Sequence, residues 1–136
     1  MANTKSIGVA FLDQNIDGAD FVYVDGEIGY TAAAQGAVTQ GVSKAEPVTL
    51  NKSAGQITMN AATLNAATNV TFTLNNSTVS AKDVVVLSVS SGATAGAYNC
   101  WVSGKGTGSC TITLRNLSGG SLSEAVVINF AVIHVL

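Results

Sequence analysis

From Pro47 to Leu136 the chain is a ladder of short apolar runs separated by Gly, Ser, Thr and Asn, with almost no charge between them. Apolar runs of strand length bounded by turn-forming residues, recurring at regular spacing, are the mark of an all-β sandwich or barrel. Val48-Thr49-Leu50 and Gln56-Ile57-Thr58-Met59 flank residues 51–55 and read as a hairpin. Residues 69–74 alternate strictly and put Val70, Phe72 and Leu74 on one face. Residues 83–89 are more continuously apolar, which predicts burial on both faces. Three further runs follow, 97–102, 110–114 and 125–133, the last setting Val126, Ile128, Phe130 and Val132 against Val127, Asn129, Ala131 and Ile133. These seven strands predict an antiparallel β-sandwich of jelly-roll-like form over residues 47–136. Residues 61–67 are expected to make one helical turn and are too short for more.

Residues 1–46 read differently. Single apolar residues are mixed with Asp, Gly and Ala, and no helical period is sustained. Phe21-Val22-Tyr23-Val24 predicts one short strand, because Asp-Gly pairs at 17–18 and 25–26 favour turns on either side. The stretch 32–41 is small and bland, so this part is expected to be an extended N-terminal arm, ordered by contacts elsewhere. Charge divides at the same place. Five of the eight acids (Asp13, Asp17, Asp20, Asp25 and Glu27) fall inside fifteen residues near the N-terminus, so residues 1–45 carry −3 with Lys5 and Lys44, and residues 46–136 carry +1. Charged residues make up 10% of the whole, against roughly 25% in ordinary globular domains. A surface so poor in charge points to a protein packed against copies of itself or a larger assembly.

Several function classes are disfavoured. The longest strongly apolar stretch, 125–136, is interrupted by Asn129 and His134 and falls short of the ~20 residues a membrane helix needs. The N-terminus Met-Ala-Asn-Thr-Lys-Ser lacks the pattern of a secretory signal, so a soluble, unexported chain is expected. The six basic residues are scattered singly and make no nucleic-acid stripe. Asp13-Gln-Asn15-Ile-Asp17-Gly18 reproduces the first half of a calcium loop, but Val24 stands where the closing carboxylate belongs and Asp20 where an apolar residue is usual. A clustered-carboxylate surface loop or an acidic interface patch is the favoured reading, with no metal and no cofactor. The single histidine, His134, invites a triad with a serine and a distant acid, yet no Gly-x-Ser-x-Gly or phosphate-binding loop accompanies it. No catalytic residues are assigned and no enzyme activity is expected.

Cys100 and Cys110 each lie five residues from Lys105, so a hairpin centred there would set them opposite one another. A cross-strand disulfide then competes with two reduced thiols packed beside Trp101 and Tyr98, and the reduced form is favoured in an unexported chain. Asn-x-Ser/Thr strings occur at Asn51, Asn69, Asn75, Asn76 and Asn116 and follow from the abundance of these residues. Trp101, Tyr98, Phe72 and Phe130 sit on strands, in core or interface roles. Sugar binding enters only by analogy with other sandwiches.

The strings Ser53-Ala-Gly-Gln-Ile-Thr-Met-Asn60, Thr71-Phe-Thr-Leu-Asn-Asn-Ser77, Gly92-Ala-Thr-Ala-Gly-Ala-Tyr98 and the run from Ile112 to Ile133 resemble small structural proteins of tailed bacteriophages, with Ile16-Asp-Gly-Ala19 the matching piece in the arm. These are virion components described as capsid decoration or cement proteins, and related modules occur at the ends of tail fibres. The resemblance implies a non-enzymatic homotrimer on the outer surface of the capsid, contacting and clamping the major capsid protein, with no nucleic-acid or membrane partner. The alternative it implies is a tail-fibre or receptor-binding module that recognises a host-surface glycan.

Overall fold

The computed structural model describes residues 20–135. Alternation decides the architecture: a strand that buries every second side chain must lay that face on another layer. Eight strands do so, β1 (Gln35–Thr39), β2 (Val48–Thr49), β3 (Ala54–Thr58), β4 (Asn69–Asn75), β5 (Val84–Ser91), β6 (Tyr98–Gly106), β7 (Ser109–Asn116) and β8 (Val127–Ile133). They form two four-stranded sheets, ordered β1-β3-β8-β5 and β2-β4-β7-β6. Inward residues of both, among them Ile57, Ile128, Phe130 and Val132 from the first and Phe72, Leu74, Ile112 and Leu114 from the second, form one buried core. The protein is an all-β sandwich.

The faces expected for β4 and β8 are those observed, with Phe72, Leu74, Val126, Ile128, Phe130 and Val132 buried. Pairing departs from expectation in several places. The runs at 48–50 and 56–59 do not form a hairpin: β2 joins the second sheet, parallel to β4, and β3 joins the first, antiparallel to β8. Residues 50–53 cross between the sheets instead, held by Leu50 N–H on the Asn75 carbonyl and Asn76 Nδ2 on the Lys52 carbonyl. The crossing lets Val48 and Ile57 enter the common core from opposite sides. Two edge pairings, β1 with β3 and β2 with β4, are parallel in an otherwise antiparallel fold.

Strand β5 is not buried on both faces. It is an edge strand, and Val84 and Val86 point outward, about half exposed, while Val85, Leu87 and Val89 pack on the core. Residues 61–67 make no helical turn. Leu64 is instead drawn into an extended bridge with Leu122 by two backbone hydrogen bonds of 2.8 and 3.0 Å, which buries its side chain. Phe21–Val24 is not a strand in the single chain, where these residues have no strand partner among the described residues and remain exposed.

Residues 35–46, which the sequence assigns to the arm, carry strand β1 and a loop tied into the end of the sandwich. Gln40 is buried and bridges the Lys44 and Glu46 carbonyls through Nε2, while its Oε1 accepts from Asn60 N–H. Lys44 is buried as well and donates to the carbonyls of Asn60 and Glu124. Burial lowers the Lys44 pKa, and the nearby Glu124 carboxylate partly opposes that. Such a segment has no hydrophobic period to read, because side chain-to-backbone bonds hold it. Residues 20–34 lie outside the sheets and end in a short 3-10 turn at Ala32–Ala34.

Candidate functional site: the outer faces of the two sheets

Register fixes what each sheet presents to the outside. On the first sheet, cross-strand rows run Val84–Ile133, then Val86–Ala131–Ala54–Gln35, then Ser88–Asn129–Gln56–Ala37, with Val127, Thr58 and Thr39 beyond. None of these positions is charged. The apolar end is well exposed, at 49% for Val84, 50% for Val86 and 55% for Ile133. The other end forms an open groove along β1, β3 and β8, lined by Ala37, Ala54, Gln56 and Asn129 with Ala32 at its rim. Asn129 Oδ1 is buried and finds no hydrogen-bond donor among the described residues. An isolated domain gains nothing from such a face, since exposed apolar area and an unpaired acceptor both cost free energy until a partner covers them.

The second sheet carries a row of hydroxyls on its outer side, of which Thr71 and Ser103 are exposed, Thr73 and Thr111 are half-buried and Thr113 is buried. Thr71, Thr113 and Trp101 stand side by side across β4, β7 and β6, with Thr73 and Thr111 paired one step along. Their hydroxyls are linked in a chain: Thr71 to Thr113 at 2.7 Å, Thr113 to Ser103 at 2.9 Å, and Ser103 to Thr111 at 3.1 Å. Trp101 is partly exposed beside this chain, and Arg115 is the one charged residue on the strand positions of the face. Gly104 leaves the Thr111 hydroxyl uncovered, because a Cβ there would approach Thr111 Oγ1 to 2.8 Å.

The remaining polar groups are structural anchors. Asp83 is buried and accepts from Ser80 N–H (2.8 Å), Val135 N–H (3.0 Å) and His134 Nδ1 (3.0 Å), so it fastens the end of β8 to the start of β5. Lys105 reaches across from the other sheet to the Asp83 carbonyl. The backbone N–H groups of Ser80 and Val135, helped by the side chains of Ser80 and then His134, outweigh burial and hold the Asp83 carboxyl well below the usual carboxylate range. Glu124 is lowered as well, chiefly by the Thr94 hydroxyl and then by Thr94 N–H. Groups depressed on folding stabilise above their unfolded pKa, and that contribution fades as pH falls toward the folded value. The melting temperature is therefore expected to drop steadily below about pH 4. In a calorimetric pH series Asp83→Asn should flatten this acid limb, and an unchanged limb would show that Asp83 does not govern it.

Two of the Asn-x-Ser/Thr strings prove to be structural devices. Asn76 and Asn116 are fully buried at the ends of β4 and β7, and each accepts both the N–H and the hydroxyl of the residue two positions on, Thr78 and Ser118. Asn116 Nδ2 also donates to the carbonyls of Leu64 (3.0 Å), Asn65 (3.2 Å) and Gly120 (2.8 Å). The repetition of Asn-x-Ser/Thr directly after two strand patterns was the available signal, because such side chains mimic a turn of backbone.

Of the residues weighed for chemistry, His134 hydrogen-bonds to Asp83 and to no serine hydroxyl among the described residues. The oxygen ligands Asp13, Asn15 and Asp17 of the half calcium loop lie outside the described residues, and no cluster of three His, Cys, Asp or Glu suited to a metal occurs among those described. The cysteines are not opposite one another. The hairpin turns at Thr107–Gly108, where Gly108 takes φ +82°, and a bulge at Ser103 shifts the register, so Cys100 faces Leu114 and Cys110 faces Lys105. Both thiols are free, and burial pushes both upward in pKa, which keeps them unreactive. Comparison with known proteins finds no matching family model, no matching curated protein and no matching solved structure.

Proposed function

We propose that this protein is a non-enzymatic structural component of a phage virion, a capsid decoration protein that self-associates, as a trimer in the form the resemblance implies, and clamps neighbouring major capsid subunits. The observation that carries self-association is the uncharged outer face of the first sheet, with Val84, Val86 and Ile133 exposed and Asn129 Oδ1 unpaired. A neutral face repeats around a symmetry axis without the like-charge repulsion that a charged one would bring. The virion setting rests on the phage-like strings, which map onto β3, β4, the 92–98 turn, and β7 through β8. Light scattering at micromolar concentration should find an oligomer. Val86→Lys should give a monomer with unchanged secondary structure, because Val86 contributes no core contact and its charge would be repeated at the axis. The native chain should co-purify with intact capsids. A native monomer that is absent from capsids would refute the proposal.

A second reading is favoured by one observation, the partly exposed Trp101 beside the Thr71–Thr113–Ser103–Thr111 hydroxyl chain. An indole face beside hydroxyl donors and acceptors suits a sugar ring, whose C–H side packs on the aromatic and whose hydroxyls join the chain. Arg115 would favour an acidic glycan. Trp101 is the chain's only tryptophan, so bacterial surface polysaccharide should change its fluorescence saturably, and Ser103→Ala, which removes an exposed hydroxyl of the chain, should weaken the change. No response to polysaccharide at any concentration would exclude this reading.

A further inference from the structure

The sandwich has four strand edges, one at each side of its two sheets, and three are guarded. Strand β2 has only two residues, and β5 and β6 each carry a register-shifting bulge. Short edge strands and bulges are devices that discourage pairing with another chain. The fourth edge, β1, has neither. Its five residues, Gln-Gly-Ala-Val-Thr, include no charge, proline or bulge, and its outer side has no strand partner among the described residues. Beside it lies the groove along β1, β3 and β8, with the unpaired Asn129 Oδ1.

The same chain carries a segment with the complementary deficiency. Phe21, Val22, Tyr23 and Val24 are 75%, 55%, 88% and 50% exposed. The rings of Phe21 and Tyr23 stack at 5.9 Å, so these two side chains already share one side, as residues two apart do on a strand. Val22 and Val24, by that period, belong to the other. Charge agrees: Asp20, Asp25 and Glu27 flank this segment with no base among residues 20–30, and Lys52 stands at the start of β1, donating to the Ala33 carbonyl at 2.8 Å.

We infer that residues 21–24 of one copy add as a fifth strand to the free edge of β1 in a neighbouring copy. Phe21 and Tyr23 then lie over the small residues of the groove, where the Tyr23 hydroxyl supplies a donor, and Val22 and Val24 extend the core side past Val38. The added strand satisfies the open backbone groups of β1 as strand addition does elsewhere, and head-to-tail exchange of this kind closes a ring when its rotation fits. The inference rests on the self-association proposed above and adds a second contact, strand exchange, to the one through the sheet face.

The test co-expresses two full-length variants with different tags, Tyr23→Cys and Ala37→Cys, and treats them with a short bismaleimide. Cys110 is buried and Cys100 half-buried, so the background from native thiols is measured on the unmodified chain treated in the same way. A covalent link between differently tagged chains, absent when either variant is expressed alone, is the expected result. Val22→Pro, placed in the Tyr23→Cys chain, should return the link to background, because proline cannot donate to a ladder. Linking only within one chain of a Tyr23→Cys/Ala37→Cys double variant would overturn the inference in favour of the arm folding on its own edge. An oligomer that persists with no link in any pairing would overturn it too, while leaving self-association through the sheet face standing. A native monomer would remove both.

Discussion

Replacing Asn116 with aspartate should cost the fold roughly 3–5 kcal/mol at neutral pH, although the two side chains have the same shape. The amide is fully buried, and its Nδ2 faces the carbonyl oxygens of Leu64, Asn65 and Gly120. Aspartate would put a carboxylate oxygen there, leaving acceptors facing acceptors in a site without water contact. Those carbonyls belong to two loops, 64–65 and 118–120, and the backbone of Asn116 adds a third tie through its N–H to the Thr68 carbonyl. One side chain therefore holds together the end of the sandwich that the Leu64–Leu122 bridge closes. Urea unfolding of Asn116→Asp measures the loss, and lowering the pH, which protonates the new carboxyl and restores a donor, should recover part of it relative to the native chain. Asn69→Ala is the control, because Asn69 heads the same kind of Asn-x-Thr string but is exposed; it should change stability by less than about 0.5 kcal/mol. Equal effects at the two positions would show that burial of the Asn116 amide is not what matters.

The second large effect is expected at Ile128. This residue lies fully buried near the start of β8, paired with Ile57 on one side and Val89 on the other. Ile128→Ala removes three carbons from a packed interior and leaves a cavity, a change that costs about 2–5 kcal/mol. Ile133 is on the same strand, five residues on and facing out, 55% exposed. Ile133→Ala should alter the stability of the isolated sandwich by under about 0.5 kcal/mol, yet weaken self-association, because it thins the apolar end of the outer face. Denaturant midpoints on dilute protein separate the first effect, and light scattering at higher concentration reads the second. A loss at Ile133 as large as that at Ile128 would mean that the outer face is already packed within one chain.

Much of the sandwich was legible because alternation is a local property. Phe72 and Leu74 on β4, and Val126, Ile128, Phe130 and Val132 beside and along β8, are buried by a two-residue period that any partner strand would require. The continuous apolar run at β5 misled for the same reason. Composition records that Val84 and Val86 are apolar but not that no layer covers them in the single chain. The uncharged face of the first sheet was present in the sequence only as a low total of charge, and it became a surface once register aligned Val84 with Ile133 and Gln56 with Asn129.

Pairing was not legible, since it depends on where the chain crosses. The 51–55 connection looked like a hairpin turn, but the side chain-to-backbone ties of Asn76 and Asn51 draw it across the sandwich and send β2 and β3 to different sheets. The cysteine register moved because Gly108, in the left-handed region that glycine adopts without penalty, and the Ser103 bulge set the turn, whatever the symmetry about Lys105. Strand β1 had no apolar period of its own and exists through its parallel partner β3, where Gly36 and Gly55 leave the space that Leu50 occupies. By itself the sequence determined that this chain is all β, which residues of its regular strands face inward, and that its surface is poor in charge, because these follow from side-chain period and composition. Only the tertiary structure decided which strands meet, which edge stays open and which asparagines are anchors, because those depend on contacts between residues far apart in the chain.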